Sequence, residues 1–143
     1  MSFGDAIKTV FSKYATFSGR ARRSEFWFWA LFVFLINVVM SILISATGGI
    51  SIDLDTGEIS YGATYFLAAL VGLALLLPNL AVTVRRLHDT DRSGFWWFIA
   101  LVPFVGWIIL LVFTVLEGTR GPNRFGADPK LAAGEAPAQA PQV

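Results

Sequence analysis

Cysteine is absent from this 143-residue chain, which excludes disulfides, thiolate metal ligands and a cysteine nucleophile. Histidine occurs once, at His88, and with no second His and no Cys there are too few strong ligands for a zinc-type metal site. Charge is scarce too, at 15% of residues against about 25% in an ordinary soluble domain. The formal net charge of +1 gives no reason to expect a nucleic-acid partner, and nothing in the composition calls for a cofactor. What fills the space is apolar: 55% of the chain is hydrophobic and the mean hydropathy is +0.63. Three uncharged runs, 26–46, 63–84 and 95–116, each reach the roughly 20 residues that a spanning helix needs. The expected fold is all-α and integral to a membrane, with three transmembrane helices in a single domain of residues 1–130. Residues 131–143, rich in Ala, Pro and Gln, are expected to be disordered because they have little to bury. The first run is too long, and too far from the start, for a cleavable signal peptide.

Residues 2–17 carry Phe3, Ile7, Val10, Phe11, Tyr14 and Phe17 at helical steps of three and four, with Lys8 and Lys13 elsewhere. That pattern predicts an amphipathic helix capped by Ser2, with Asp5 in its first turn. Its apolar face suits either the headgroup plane or packing against the other helices. In the first span, Asn37, Ser41 and Ser45 share one face, a pattern that predicts a helix-packing seam. In the second, Pro78 predicts a kink whose freed backbone groups Asn79 or Thr83 could satisfy. Asn79, Thr83 and Arg86 continue as a polar line toward the end of that span.

The loop 47–62 has three acids, Asp53, Asp55 and Glu58, and no basic residue, so it is expected outside the cell. Its alternating Ile50, Ile52, Ile59 and Tyr61 around Asp55-Thr56-Gly57 predict a short β-hairpin. The acid spacing lacks the pattern of an EF-hand calcium loop. The third run is interrupted at Pro103 to Gly106. It reads either as a kinked span or as a re-entrant pair of short helices; the kinked span is preferred, because 95–102 as a helix would reach only about 12 Å.

Two junctions match: Arg23-Ser24-Glu25-Phe26-Trp27 and Arg92-Ser93-Gly94-Phe95-Trp96. Both lead into an apolar run, and arginine followed by aromatics marks a cytoplasmic boundary. The amino terminus and an 85–94 loop are therefore expected in the cytoplasm. That loop holds the chemistry of the chain, and three readings of it stand. Its arginines can simply hold orientation, with Asp89 or Asp91 pairing them. Alternatively Arg20, Arg22, Arg23, Arg85, Arg86 and Arg92 form an anion site for a lipid phosphate or another phosphorylated ligand. In the third, His88 with Asp89 or Asp91 performs acid–base chemistry of a phosphohydrolase kind.

The segments Phe17-Ser18-Gly19-Arg20 through Trp27, Val84-Arg85-Arg86-Leu87-His88-Asp89 through Gly94, and Gly118-Thr119 through Asn123-Arg124-Phe125-Gly126 together resemble the YhaH-like family of small bacterial inner-membrane proteins. The resemblance implies an inner-membrane, multi-pass fold and carries no activity or substrate. It adds Ser93, Asn123 and Arg124 to His88, Asp89 and Asp91 as motif residues of unassigned role. The expected function is a non-enzymatic interaction or regulatory component that contacts anionic lipid headgroups, and a membrane-protein partner or homo-oligomer is possible. The alternative is an oligomeric transporter or channel subunit with Asn37, Ser41, Asn79 and Thr83 along its path; a membrane enzyme using His88 and Asp89 comes third.

Overall fold

The computed structural model describes residues 1–132 and residue 134. Ser2 and Asp5 form a reciprocal capping box that starts helix α1, Phe3–Ser12. The helix is shorter than the periodicity predicts, ending at Ser12 with Lys13 as its cap, so Tyr14 and Phe17 lie beyond it. Its apolar face packs on helix α2, Arg23–Thr47, where Ala6 and Val10 are buried and Phe11 meets Trp29 edge-on at 5.2 Å. Helix α2 contains the whole first apolar run and stops at Gly48, whose φ of 63° takes the left-handed cap that glycine accepts most easily.

Strands β1, Ile50–Ile52, and β2, Ile59–Tyr61, pair antiparallel with Ser51 opposite Ser60. Gly57 takes φ 69° in the turn, while Oδ1 of Asp53 accepts from the amides of Asp55 and Thr56. Both strands are exposed; the Gly62 amide donates to the Gly49 carbonyl and Thr47 bonds Thr64, tying the sheet to the helix ends.

Helix α3, Ala63–Asp89, extends past the second apolar run. Arg85, Arg86, His88 and Asp89 are therefore helical and not part of a loop, because nothing before Thr90 breaks the helix. Pro78 lies inside it and has no amide to donate to Ala74. The partner for that freed carbonyl is the phenol of Tyr14, not Asn79 or Thr83 as the sequence suggested. Thr83 instead donates to the Asn79 carbonyl at 2.7 Å.

The third apolar run is not one helix. A 3-10 helix, Gly94–Leu101, is followed by a turn at Pro103 and Phe104, where Phe104 has φ 60°, and then by helix α4, Val105–Val115. The two halves fold back on each other. Trp96, near the start of one, meets Phe113, near the end of the other, at 5.4 Å, and Trp107 Nε1 donates to the Ala100 carbonyl at 2.7 Å. A Cβ on Gly106 would overlap the Ile99 backbone, so the turn depends on that glycine. The kinked single span preferred from sequence is thus replaced by a hairpin of helices, each about 16 Å long and about half a hydrocarbon core. A last short helix, α5, Pro129–Ala132, takes in Leu131 and Ala132; apart from Gly134, the rest of the expected disordered tail lies outside the described residues.

The buried core, Val10, Ala21, Trp29 and Val82, lies where α1, the start of α2 and the end of α3 meet. Away from it the two long helices expose large apolar side chains, Phe34 by 62% and Leu73 by 66%. Two helices, α2 and α3, are long and apolar enough to cross a membrane.

Candidate functional site

The three motif segments converge at one end of α3. Nε of Arg20 donates to Oδ1 of Asp89 at 3.0 Å, and Nη1 of Arg86 holds the other carboxylate oxygen. Asp89 is thereby shared between two guanidiniums, and all three side chains are buried. The remaining donors of Arg20 go to backbone carbonyls of the segment after α4: Nη1 to Gly121 at 2.6 Å and Nη2 to Thr119 at 2.5 Å. Arg86 reaches the carbonyls of Thr114 and Leu116, which close α4, and also that of Ala21. The end of a helix leaves carbonyls without intrahelical donors, and here an arginine from a neighbouring helix supplies them.

The segment after α4 returns the arrangement. The amide and hydroxyl of Thr119 donate to the Asp89 carbonyl at 2.8 and 3.0 Å, and Nδ2 of Asn123 donates to the His88 carbonyl at 2.9 Å. Those carbonyls belong to the last turn of α3. Gly118 passes so close to the Asp89 carboxylate that any Cβ there would overlap it. Beside this knot a second buried pair joins Nη1 of Arg85 to Oε1 of Glu25 at 2.5 Å. Nε and Nη2 of Arg85, Nε1 of Trp29 and Oγ of Ser24 are buried without a hydrogen-bond partner among the described residues.

The other expected site residues are placed differently. Arg22 is half-buried and Arg23 exposed. Arg92 lies over the Phe113 ring at 4.1 Å and donates to the Thr90 carbonyl. Asp91, at φ 58°, pairs with Arg124 at 3.2 Å in the open, and Ser93 caps the 3-10 helix through the Phe95 amide. His88 is not oriented by Asp89 or Asp91. Its Nδ1 faces the Gly19 carbonyl at 3.0 Å, and its ring is stacked on Phe125 at 4.0 Å and 4°. Asn37, Ser41 and Thr83 each donate to a carbonyl four residues earlier in their own helix, while Asn37 and Asn79 line a crevice of about 170 Å³ between α2 and α3.

At the outer margin, the Lys130 ammonium and then Arg120 hold the Glu117 carboxyl below its ordinary range. Partial burial by itself would raise Asp128, but the amides of Lys130 and Gly121, helped by Arg20, outweigh it and hold that carboxyl low. Sequence reasoning missed Glu25 as the partner of Arg85. The available signal was position: it is the one acid between Asp5 and Asp53 and stands among arginines. Gly118 and Thr119 stood in the third resembling segment without an assigned role, and the carbonyls of 114–126 carried no signal at all.

The pattern of motifs brought together here is matched by the family described as Protein of unknown function (DUF805), over residues 14–127. The chain belongs to that family. In Escherichia coli strain K12, inner membrane protein YhaI is 46% identical to it over 126 residues, covering 87% of this chain and 95% of the relative. Inner membrane protein YhaH is 42% identical over 122 residues, covering 85% and 93%. Uncharacterized protein YiiR is 32% identical over 138 residues, covering 79% and 85%. No solved structure matches the chain. The DUF805 match begins just before Arg20 and ends just after Gly126, so it spans every residue of the buried knot.

Proposed function

We propose that this chain is a multi-pass protein of a bacterial inner membrane, without catalytic activity, that works as a membrane-embedded interaction component and contacts anionic lipid at its cytoplasmic face. In this reading α2 and α3 cross the bilayer, the 3-10 helix and α4 form a re-entrant hairpin, and the β1–β2 sheet lies outside. One observation carries it: both ends of the helical hairpin return to the end of α3 that also holds Arg20 and Glu25. All eleven lysines and arginines then fall in segments on that side, and none in 47–62, as retention of positive charge in the cytoplasm requires. Arg20, Arg86 and Asp89 in the knot, and Arg85 in the pair beside it, are engaged internally, which supports placing lipid contact on other residues. Headgroup contact passes instead to exposed Lys8, Lys13 and Arg23 beside the half-open aromatics of α1.

Reporter fusions after Lys130 and within 47–62 test the orientation, with cytoplasmic and periplasmic signals expected respectively. A periplasmic signal after Lys130 would overturn it. Neutralising Lys8, Lys13 and Arg23 together is expected to weaken binding of phosphatidylglycerol at α1 about a hundredfold, at about 1 kcal/mol per basic residue. Photo-crosslinking of a headgroup-labelled phosphatidylglycerol to the peptides of α1 reads this, and unchanged labelling of those peptides counts against the lipid contact.

A further inference from the structure

We infer that the groove between the end of α3 and the 3-10 helix binds one membrane phospholipid, whose acyl chain fills the groove and whose headgroup hydroxyl donates to Nε2 of His88. The inference rests on the membrane placement proposed above, and it concerns a different surface from α1.

The groove has a volume of about 520 Å³, within the range of small-molecule sites. Leu80 and Val84 of α3 form one wall and Phe95 and Phe98 of the 3-10 helix the other, with Phe17 and Trp97 completing it. Its rim is continuous with the exposed apolar belt: Phe95 is 79% exposed, and Leu101 further along the same helix is also open. An apolar groove that opens sideways onto hydrocarbon is filled from the hydrocarbon, because an unfilled one forfeits the dispersion contacts of its lining. The occupant available there is a lipid chain.

The polar end decides which lipid. Gly94 brings the 3-10 helix against α3, since a Cβ at that position would come within 2.7 Å of Cγ1 of Val84 and 3.6 Å of Nε2 of His88. The His88 ring is fixed on one face by Phe125 and at Nδ1 by the Gly19 carbonyl. A carbonyl only accepts, so Nδ1 carries the proton, and in the neutral ring Nε2 is an acceptor turned to the groove. It takes no bond from the described residues. Beside it Ser93 uses its oxygen to accept the Phe95 amide at 3.3 Å, which leaves its proton to donate. An acceptor next to a donor matches a hydroxyl with a neighbouring ester or phosphate oxygen. A hydroxylated phospholipid such as phosphatidylglycerol satisfies both groups, whereas phosphatidylcholine has no donor for Nε2.

The test uses the full chain in nanodiscs with phosphatidylglycerol and phosphatidylcholine probes that carry the same photoreactive acyl chain. Phosphatidylglycerol is expected to label the peptides holding Leu80, Val84, Phe95 and Phe98 about fivefold more than phosphatidylcholine, the discrimination of one hydrogen bond. His88→Ala should abolish that preference, and Leu80→Trp, which fills the groove, should suppress labelling by both probes. Equal labelling by the two probes at the groove overturns the headgroup assignment, and labelling spread evenly along α2 and α3 overturns the site. Both contrasts are read in the wild-type protein, so they stand even if a variant fails to fold. A periplasmic reporter after Lys130 with groove labelling intact would break the orientation alone. A cytoplasmic reporter with no groove preference would break this inference alone.

Discussion

The two Arg-Ser-x-Phe-Trp junctions begin with nearly the same residues and end as different structures. Arg23-Ser24-Glu25 opens a continuous 25-residue α-helix, while Arg92-Ser93-Gly94 opens an eight-residue 3-10 helix that turns back. The middle residue separates them. Glu25 is drawn inward to pair with buried Arg85, which docks the start of α2 against the end of α3. Gly94 has no side chain, and that absence lets the 3-10 helix press on Val84. The serines also differ: Ser93 caps its helix, whereas Oγ of Ser24 is buried with no partner among the described residues. Shared composition at a membrane boundary therefore fixes where an element starts and leaves open what it becomes.

Substitutions at Glu25, Gly94 and the two serines test that contrast. Glu25→Ala leaves the Arg85 charge buried and unpaired, and is expected to cost about 3–5 kcal/mol, read as a large fall in the thermal unfolding midpoint followed by tryptophan fluorescence in detergent. Adding Arg85→Met should restore most of the loss; no recovery would mean that Glu25 acts other than through the pair. Gly94→Ala is expected to cost about 1–3 kcal/mol by the same measurement, because the new methyl meets Val84. A neutral effect would show that close approach of the two helices is not what the glycine provides. Smallest is the serine pair: Ser93→Ala should cost about 1 kcal/mol through the lost cap, and Ser24→Ala close to nothing. Equal effects would erase the distinction drawn between the junctions.

Much of the scaffold is legible in the sequence because it follows from local rules. The uncharged runs place α2 and α3, Ser2 and Asp5 place the start of α1, and Gly57 places the turn between the strands. Hydropathy is blind to direction, however, so residues 95–116 read alike whether the chain crosses or doubles back. The reversal depends on Phe104 at positive φ and on contact between Gly106 and Ile99, neither of which is a matter of composition. The arginine knot was less legible still. Its acceptors are mostly backbone carbonyls of residues 114–126, and any residue type offers one. Six arginines grouped as a surface for phosphate therefore divide: three are enclosed, and Arg22, Arg23 and Arg92 keep some exposure.

The sequence separation inside the knot sets an order of events during synthesis. Arg20 is made 101 residues before the Gly121 carbonyl that it holds, and Arg86 is made 30 residues before that of Leu116. At about 5–20 residues per second, Arg20 waits roughly 5–20 s for its last acceptors. Until Asp89 is made, 69 residues after Arg20, its guanidinium has only water and lipid phosphate to bind, so in the proposed orientation it first anchors the chain on the cytoplasmic side. The same residue is afterwards enclosed when 117–128 emerges. In that orientation topogenesis and closure are successive duties of one side chain, and the nascent protein remains unlatched until residues 117–128 arrive.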